Sequence, residues 1–515
     1  MLTHPRRATI WLYLLASILG GVYCLGFAPV DWWSVTVVAI AGIFYCVNAP
    51  AVNPALITWF FGIGKYGVGA SWVYVSINVY GGATPILAGF LVLLFVLFVS
   101  ALFCWPIGWL YDKAKDQSGK AKGQSGKAKG QSPVANLVLF TACWALFDWA
   151  QTWLLTGFPW LYGANALIST QFAGWLPVFG VLGASALLVL SSSALVVAIT
   201  HKSLRVLATG VAVLPWLVGA LFLQVDWVDT KARHSVALVQ ANIDQSIKWR
   251  PESALPNYQA HVDLTAAHWQ SDVVIWPEAA ITEYPQRAQL WLEELTERAL
   301  KNDTSLIVGI PGVEVLDDGY RFYNMALGLG AANGRFSKHH LVPFGEYVPL
   351  ESLLRGLIQF FDLPMSTTSP GASDQPNITT GIGEIAMAIC YEVAYPESMR
   401  RAANSAAVLA TISNDTWFGA SFGPPQHLQI AQARAFENGR WMLRATNNGL
   451  TAVIDHRGHI VKQLPQFTAG TLTAEFDVME GTTPFNFWGH WPLLIFLFGM
   501  TVVVWRQVSV EKRTM

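Results

Sequence analysis

Charge is what this chain has least of. Asp, Glu, Lys and Arg make up 13% of its 515 residues, where a soluble domain carries roughly 25%. With a hydrophobic content of 53%, that deficit points to the membrane. The net charge of −1 leaves no basic surplus, so no nucleic-acid partner is expected. Cysteine is scarce as well. Of five, Cys24, Cys46, Cys104 and Cys143 lie in or beside long apolar runs and read as small hydrophobes. Cys390 stands alone in the polar part of the chain, which excludes a disulfide framework there. No Gly-x-Ser-x-Gly elbow and no Walker-type loop occurs, which removes the chemistry those motifs support. His339, His340, His456 and His459 lack His-x-x-x-His spacing and a clear carboxylate partner. No metal is expected from them, and no cofactor is called for.

Long apolar runs are abundant. They cover about 10–28, 34–47, 55–75, 86–110, 134–155, 172–200, 206–224 and 488–505. A spanning helix needs roughly 20 apolar residues, so seven spans are expected before a polar region and one after it. The first run follows Arg6 and Arg7 and resembles a signal peptide, but further runs follow almost at once. Loop charges orient the set. Lys113, Lys115, Lys120, Lys122, Lys127 and Lys129 fall in the loop at 111–133, Lys202 and Arg205 in that near 201–205, and Arg506, Lys512 and Arg513 in the tail. The alternate loops at 29–33, 76–85 and 156–171 contain no Lys or Arg. By the positive-inside rule both termini are cytoplasmic and residues 226–485 lie outside. The 23 tryptophans suit membrane interfaces. Gln-Ser-Gly-Lys-Ala-Lys-Gly occurs twice in tandem at 117–130 and reads as a solvated tether, with anionic lipid as the other reading. Lys65 and Asp148 are the charges inside the runs. They are thin support for a transporter, which places such residues along its path.

The region 226–485 changes character. Apolar strands at 236–242, 273–276, 306–310, 323–330, 385–389, 407–412 and 450–454 alternate with helical patterns at 257–270 and 287–301. That alternation argues a layered α/β domain. Leu350, Leu353, Leu354, Leu357, Ile358 and Phe361 recur at helical spacing before a Pro/Ser/Thr/Gly-rich loop at 364–376. This is a helix packed on the domain, or a lid dipping into lipid.

One stretch carries chemistry: Ile385 to Ile389 run straight into Cys390, Tyr391 and Glu392. A thiol at a strand end is reachable at the sheet edge, where open α/β sheets place their sites. To act as a nucleophile it needs a base or a positive neighbour. Trp276-Pro277-Glu278 puts a carboxylate just past another strand, and Lys338 begins Lys-His-His-Leu-Val-Pro-Phe-Gly-Glu, which ends at Glu346. Glu278 also reads as a helix N-terminal acid after Pro277, and Lys338 as a surface cation.

Glu in Trp-Pro-Glu, Lys in Lys-x-x-Leu-x-Pro-Phe-Gly-Glu and Cys in Cys-Tyr-Glu, in that order, resemble the Glu-Lys-Cys triad of the nitrilase superfamily. Joined to seven spans before and one after, they resemble the apolipoprotein N-acyltransferase family. The likeness includes Ser71-Trp72-Val73-Tyr74-Val75-Ser76 and Ser413-Asn414-Asp415-Thr416-Trp417-Phe418-Gly419. The duplicated lysine-rich linker is no part of it. The resemblance implies a nitrilase-like αββα sandwich inserted between spans seven and eight of a membrane bundle, in a bacterial inner membrane with the sandwich periplasmic. It implies Glu278 as general base, Cys390 as nucleophile, and Lys338 with the Tyr391 N–H on the oxyanion. Glu346 would orient Lys338, while Tyr391, Glu392, Trp249, Trp417 and Phe418 would touch substrate. The implied donor is a membrane phospholipid, phosphatidylethanolamine at sn-1. The implied acceptor is the α-amino group of a diacylglyceryl-cysteine on an apolipoprotein. A membrane-tethered amidase using the same triad is the alternative.

Overall fold

A computed structural model describes residues 5–120, 132–317, 319–348 and 367–514. The helical pattern at 350–361 and most of the lysine-rich repeat lie outside the described residues. The chain divides into two compact units, Met1–Ser71 with Gly89–Asp226 and Trp488–Met515, and Trp72–Ala88 with Trp227–Phe487.

In the first unit every apolar run carries a helix: Pro5–Cys24, Trp33–Val47, Pro54–Gly69, Pro85–Phe103, Pro133–Ala150, Leu176–Thr200, Arg205–Phe222 and Trp491–Thr514. Among the described residues four helical stretches are long and apolar enough to cross a membrane, Pro85–Lys115, Pro133–Ala150, Gln171–Thr200 and Lys202–Phe222. Phe90, Leu93, Leu94, Phe98, Val206 and Leu217 on these stretches are exposed. Apolar surface on that scale is tolerated where lipid, not water, surrounds it. The run at 55–75 is broken: its helix stops at Gly69, and Trp72–Val75 and Ser76–Tyr80 follow as separate turns. Lys65 and Asp148 are buried and line a small cavity with Tyr66, Trp144 and Gln151. Trp144 Nε1 donates to Asp148 Oδ2 at 3.1 Å, and the Tyr66 hydroxyl to Gln151 Oε1 at 3.1 Å.

The second unit is built on two six-stranded sheets. In the first, β1 (Val228–Gln240), β2 (Val273–Ile275) and β3 (Ser305–Leu316) run parallel, while β4 (Gly319–Gly330), β5 (Arg335–Ser337) and β12 (Gly470–Gly481) are antiparallel additions, in the order β12-β1-β2-β3-β4-β5. The second sheet has the order β11-β10-β9-β8-β7-β6. Its centre is parallel: β7 (Gly383–Ile389), β8 (Val408–Ser413) and β9 (Met442–Thr446). Antiparallel β6 (Ile378–Thr380), β10 (Ala452–Ile454) and β11 (Ile460–Gln463) flank it.

The period-2 alternation of a strand explains the layers. Val236 and Leu238 of β1 join a core with Ile385, Met387, Ile389 and Val408 of the second sheet. Ala237 and Val239 point the other way, into a core with Tyr258, Val262, Leu295 and Ala299 from the helices Ala254–Thr265 and Gln289–Lys301. Helices Pro396–Ala403 and Gly423–Asn438 pack on β7 and β9. The result is a helix–sheet–sheet–helix sandwich. All six residues of β8 and all five of β9 are buried, as parallel strands covered on both faces should be.

Candidate active site

The site is assembled at the ends of strands from both sheets. Past β2 the chain leaves the sheet at Trp276-Pro277-Glu278 and turns, with Ala279 at φ +48°. The turn is not a helix, so Glu278 is not a helix-terminal acid. β3 passes so close that a Cβ on Gly309 would sit 2.2 Å from the Pro277 carbonyl oxygen and 2.8 Å from Glu278 Cα. Lys248 Nζ, itself buried, donates to the Glu278 carbonyl at 3.1 Å. The Glu278 carboxylate accepts from Asn324 Nδ2 on Oε1 at 2.6 Å and from the Asn414 backbone N–H on Oε2 at 2.6 Å.

Lys338 follows β5 directly, and its N–H donates to the Asn324 carbonyl at 2.8 Å. Its side chain is 1% exposed, so it is no surface cation. Nζ lies 2.8 Å from Glu346 Oε1 and 3.8 Å from Glu278 Oε1. Asn324 Nδ2 reaches Glu346 Oε1 as well, at 3.4 Å, and the Val342 N–H donates to Glu346 Oε2 at 2.9 Å. A buried ammonium is costly unless paired. Burial works against the Lys338 charge, but Glu346 and then Glu278 outweigh it and hold the ammonium well above the ordinary lysine range.

Cys390 follows β7 directly, with φ +57°, a left-handed conformation uncommon for a residue with a Cβ. It keeps partial access to the surface while protein closes around it. Burial, then the Glu278 charge, push the thiol up to about 12, with Lys338 acting the other way. The resting group is therefore a thiol that feels both an acid and a cation.

Glu392 is turned inward. Its Oε1 accepts from the N–H groups of His339 and His340 at 2.7 and 3.0 Å, and Oε2 from that of Ile389 at 2.8 Å. It thereby ties the Lys338 segment to the last residue before Cys390. Tyr391 is buried edge-on against Tyr395. Trp249 is exposed just after Lys248. Trp417 and Phe418 meet the segment Trp72–Ala88: Ser76 Oγ donates to the Trp417 carbonyl at 2.7 Å, Tyr80 lies edge-on to Trp417, and Trp72 edge-on to Phe418. Thus Glu278, Lys338, Glu346 and Cys390 converge, with Glu392 beside them. Asn324 and Lys248 are functional neighbours that no motif announced, because a lone polar residue in a strand or loop carries no pattern.

Known proteins resemble the chain along nearly its whole length. Residues 235–483 match the carbon-nitrogen hydrolase family, and 19–194 the apolipoprotein N-acyltransferase N-terminal domain. The apolipoprotein N-acyltransferase of Pseudomonas syringae pv. tomato is 39% identical over 96% of this chain and 97% of its own. That of Photobacterium profundum is 38% identical over 95% and 94%. Among solved structures, the NitFhit protein of C. elegans is 19% identical, covers 48% of this chain and 62% of its own, and superposes with a TM-score of 0.39.

Proposed function

The chain belongs to the apolipoprotein N-acyltransferase family, and on that premise we propose that it moves a fatty acyl chain from a membrane phospholipid to the N-terminal amine of a diacylated lipoprotein through a thioester on Cys390. The observation that carries the mechanism is the pairing of Lys338 with two carboxylates beside the thiol. Held charged, Lys338 cannot serve as base, so that role falls to Glu278. Lys338 is left to stabilise negative charge.

In the first step Glu278 takes the Cys390 proton as sulfur attacks the ester carbonyl, phosphatidylethanolamine at sn-1. Lys338 Nζ and the Tyr391 N–H hold the oxyanion. The intermediate collapses, the glycerol oxygen leaves with the proton returned by Glu278, and a lysophospholipid departs. In the second step the lipoprotein α-amino group attacks the thioester. Glu278 accepts a proton from the amine, the amide forms, and the Cys390 sulfur is reprotonated. A thioester is activated enough to acylate an amine, so no ATP or acyl-CoA is needed. Glu346 orients Lys338. Tyr391, Glu392, Trp249, Trp417 and Phe418 shape the surrounding pocket.

Eight spans, a periplasmic catalytic region at 226–485 and cytoplasmic termini in a bacterial inner membrane are the topology that goes with this reading, supported by the loop charges. An amidase reading shares the triad but passes the acyl group to water. The test is to incubate purified protein with phosphatidylethanolamine and examine Cys390 by mass spectrometry. An acyl adduct is expected, cleared by a diacylated lipopeptide with formation of an amide. Transfer without any adduct on Cys390 would defeat the mechanism, and clearance by water alone would favour the amidase.

A further inference from the structure

Beside Cys390 lies a second group of polar side chains that the reaction as written does not use. Asp415, His427 and Arg444 are each 0% exposed. They come from three elements: the turn Asp415–Phe418 after β8, the helix Gly423–Asn438, and β9. Arg444 Nη2 donates to Asp415 Oδ2 at 2.6 Å, and Ser413 Oγ donates to Asp415 Oδ1. His427 Nδ1 lies 3.1 Å from Arg444 Nη2 and 3.1 Å from Asp415 Oδ1. Its Nε2 lies 3.1 Å from the Cys390 carbonyl oxygen. Phe418 closes over the ring edge-on, with centroids 5.7 Å apart.

The chemistry of the Cys390 contact fixes the role of Nε2. A carbonyl oxygen only accepts, so Nε2 must carry the hydrogen. Burial first, then the neighbouring Arg444 charge, push the imidazole below its usual range, against the pull of the Asp415 carboxylate. Arg444, always charged, donates from Nη2 to Asp415 Oδ2 and sets that same nitrogen against His427 Nδ1. Asp415 neutralises Arg444, which keeps the buried group affordable in charge terms. The cluster thus reaches the Cys390 backbone through the bond from His427 Nε2 to the Cys390 peptide oxygen.

That oxygen belongs to the residue at φ +57°. A left-handed residue with a side chain persists where its surroundings over-determine it, and the orientation of the Cys390 carbonyl sets the plane of the peptide that carries the Tyr391 N–H. We propose that His427, set by Asp415 and Arg444, is a positioning residue that locks the Cys390–Tyr391 peptide so that thiol and oxyanion donor are both presented to the acyl carbonyl. This rests on the Cys390 thioester reading above.

The experiment uses the full-length protein in detergent with phosphatidylethanolamine and reads acyl-Cys390 in a single turnover. His427→Gln keeps an amide N–H near the place of Nε2. His427→Asn, too short, does not. The Asn variant is expected to form thioester about 100-fold more slowly, the scale of a 1 Å misplacement, with the donor concentration for half-maximal rate shifted less than about threefold, as a step with unchanged ground-state binding requires. The Gln variant should recover at least a tenth of the wild-type rate. Equal rates for the two variants would overturn the proposal, since both lose the ring and differ only in where the donor sits. Should both fail to fold, judged by melting, Arg444→Lys is read instead: it keeps the charge beside Asp415 but replaces the rigid fork that holds Asp415 and His427 together with a flexible point charge, and a wild-type rate of acylation would overturn the proposal while a comparable 100-fold loss supports it. Wild-type protein that never carries acyl on Cys390 would sink the thioester reading itself, a result distinct from a wild type that acylates alongside variants that do so equally well.

Discussion

Lys338 Nζ and Glu346 Oε1 stand 2.8 Å apart with side-chain exposures of only 1% and 10%. An ion pair so enclosed is strong only while both members are present. Removing one partner of a buried pair costs about 3–5 kcal/mol, whereas replacing both with apolar groups of similar volume is often neutral. Lys338→Met and Glu346→Leu are each expected to lower the melting temperature markedly. The double variant should melt above Lys338→Met, because it orphans one buried carboxylate, Glu278, rather than two. All three should lack acyl transfer. Strictly additive destabilisation in the double variant would show that the pair is not the unit described.

The thiol pushed up to about 12 gives a second expectation. Alkylation by iodoacetamide needs the thiolate. Labelling of Cys390 should therefore climb about tenfold per pH unit from neutrality through pH 10, with no plateau. Burial is the chief cause of the raised value and the Glu278 charge the next. Glu278→Gln removes that charge, so this variant should label faster than wild type at pH 8 while losing about 100-fold or more in acyl transfer, the usual contribution of a general base. Lys338→Met should label more slowly, because Lys338 favours the thiolate. Slower labelling of Glu278→Gln would contradict the electrostatics of the site.

How much of this was readable in the sequence depends on how each residue is buried. β7 was legible because both its faces are covered, which writes Ile385 to Ile389 as an unbroken apolar run ahead of Cys390. β9 escaped notice because Arg444 sits in its middle, and a guanidinium reads as surface until Asp415, far away in sequence, is seen against it. The helix Gly423–Asn438 was missed for a related reason. It buries Gln426, His427, Gln429, Arg434 and Glu437, so it has no apolar stripe for periodicity to find. Glu278 and Lys338 were visible as neighbours of short motifs. Their distance from each other, 3.8 Å, was not, since it arises from packing β2 and β5 in one sheet with two strands between them.

Two glycines of β3 differ in what they face, and that contrast is testable. A Cβ on Gly309 would meet backbone, the Pro277 oxygen at 2.2 Å and the Ala279 nitrogen at 2.7 Å. A Cβ on Gly312 would meet the Met325 side chain, with Cε at 2.5 Å. Backbone cannot step aside without moving Glu278, whereas a methionine can change rotamer. Gly309→Ala is expected to cost about 1–3 kcal/mol and to reduce acyl transfer about 100-fold by displacing the base. Gly312→Ala should stay within about threefold of wild type, because Met325 repacks. Comparable losses in both would mean that Glu278 is not held by this close approach.

Glu392 joins the two halves of the site through hydrogen bonds to the N–H groups of His339, His340 and Ile389. Burial dominates its acidity and pushes the carboxyl up to about 7, although those donors pull the other way. An acid with a folded value above its unfolded one stabilises the protein fully below the unfolded value of 4.5, and that share is lost as pH rises through about 7. Glu392→Gln removes the titration. It also sets an amide N–H₂ against at least one of three backbone donors, leaving a buried N–H unsatisfied at about 1–3 kcal/mol. The variant should melt below wild type throughout, by a margin that is widest near pH 5 and narrows towards pH 8. Its acyl transfer should fall with the loss of register between the Lys338 segment and Cys390. A margin that widens with pH would show that the carboxyl is ionised well below neutrality in the folded protein, and that the donors, not burial, govern it.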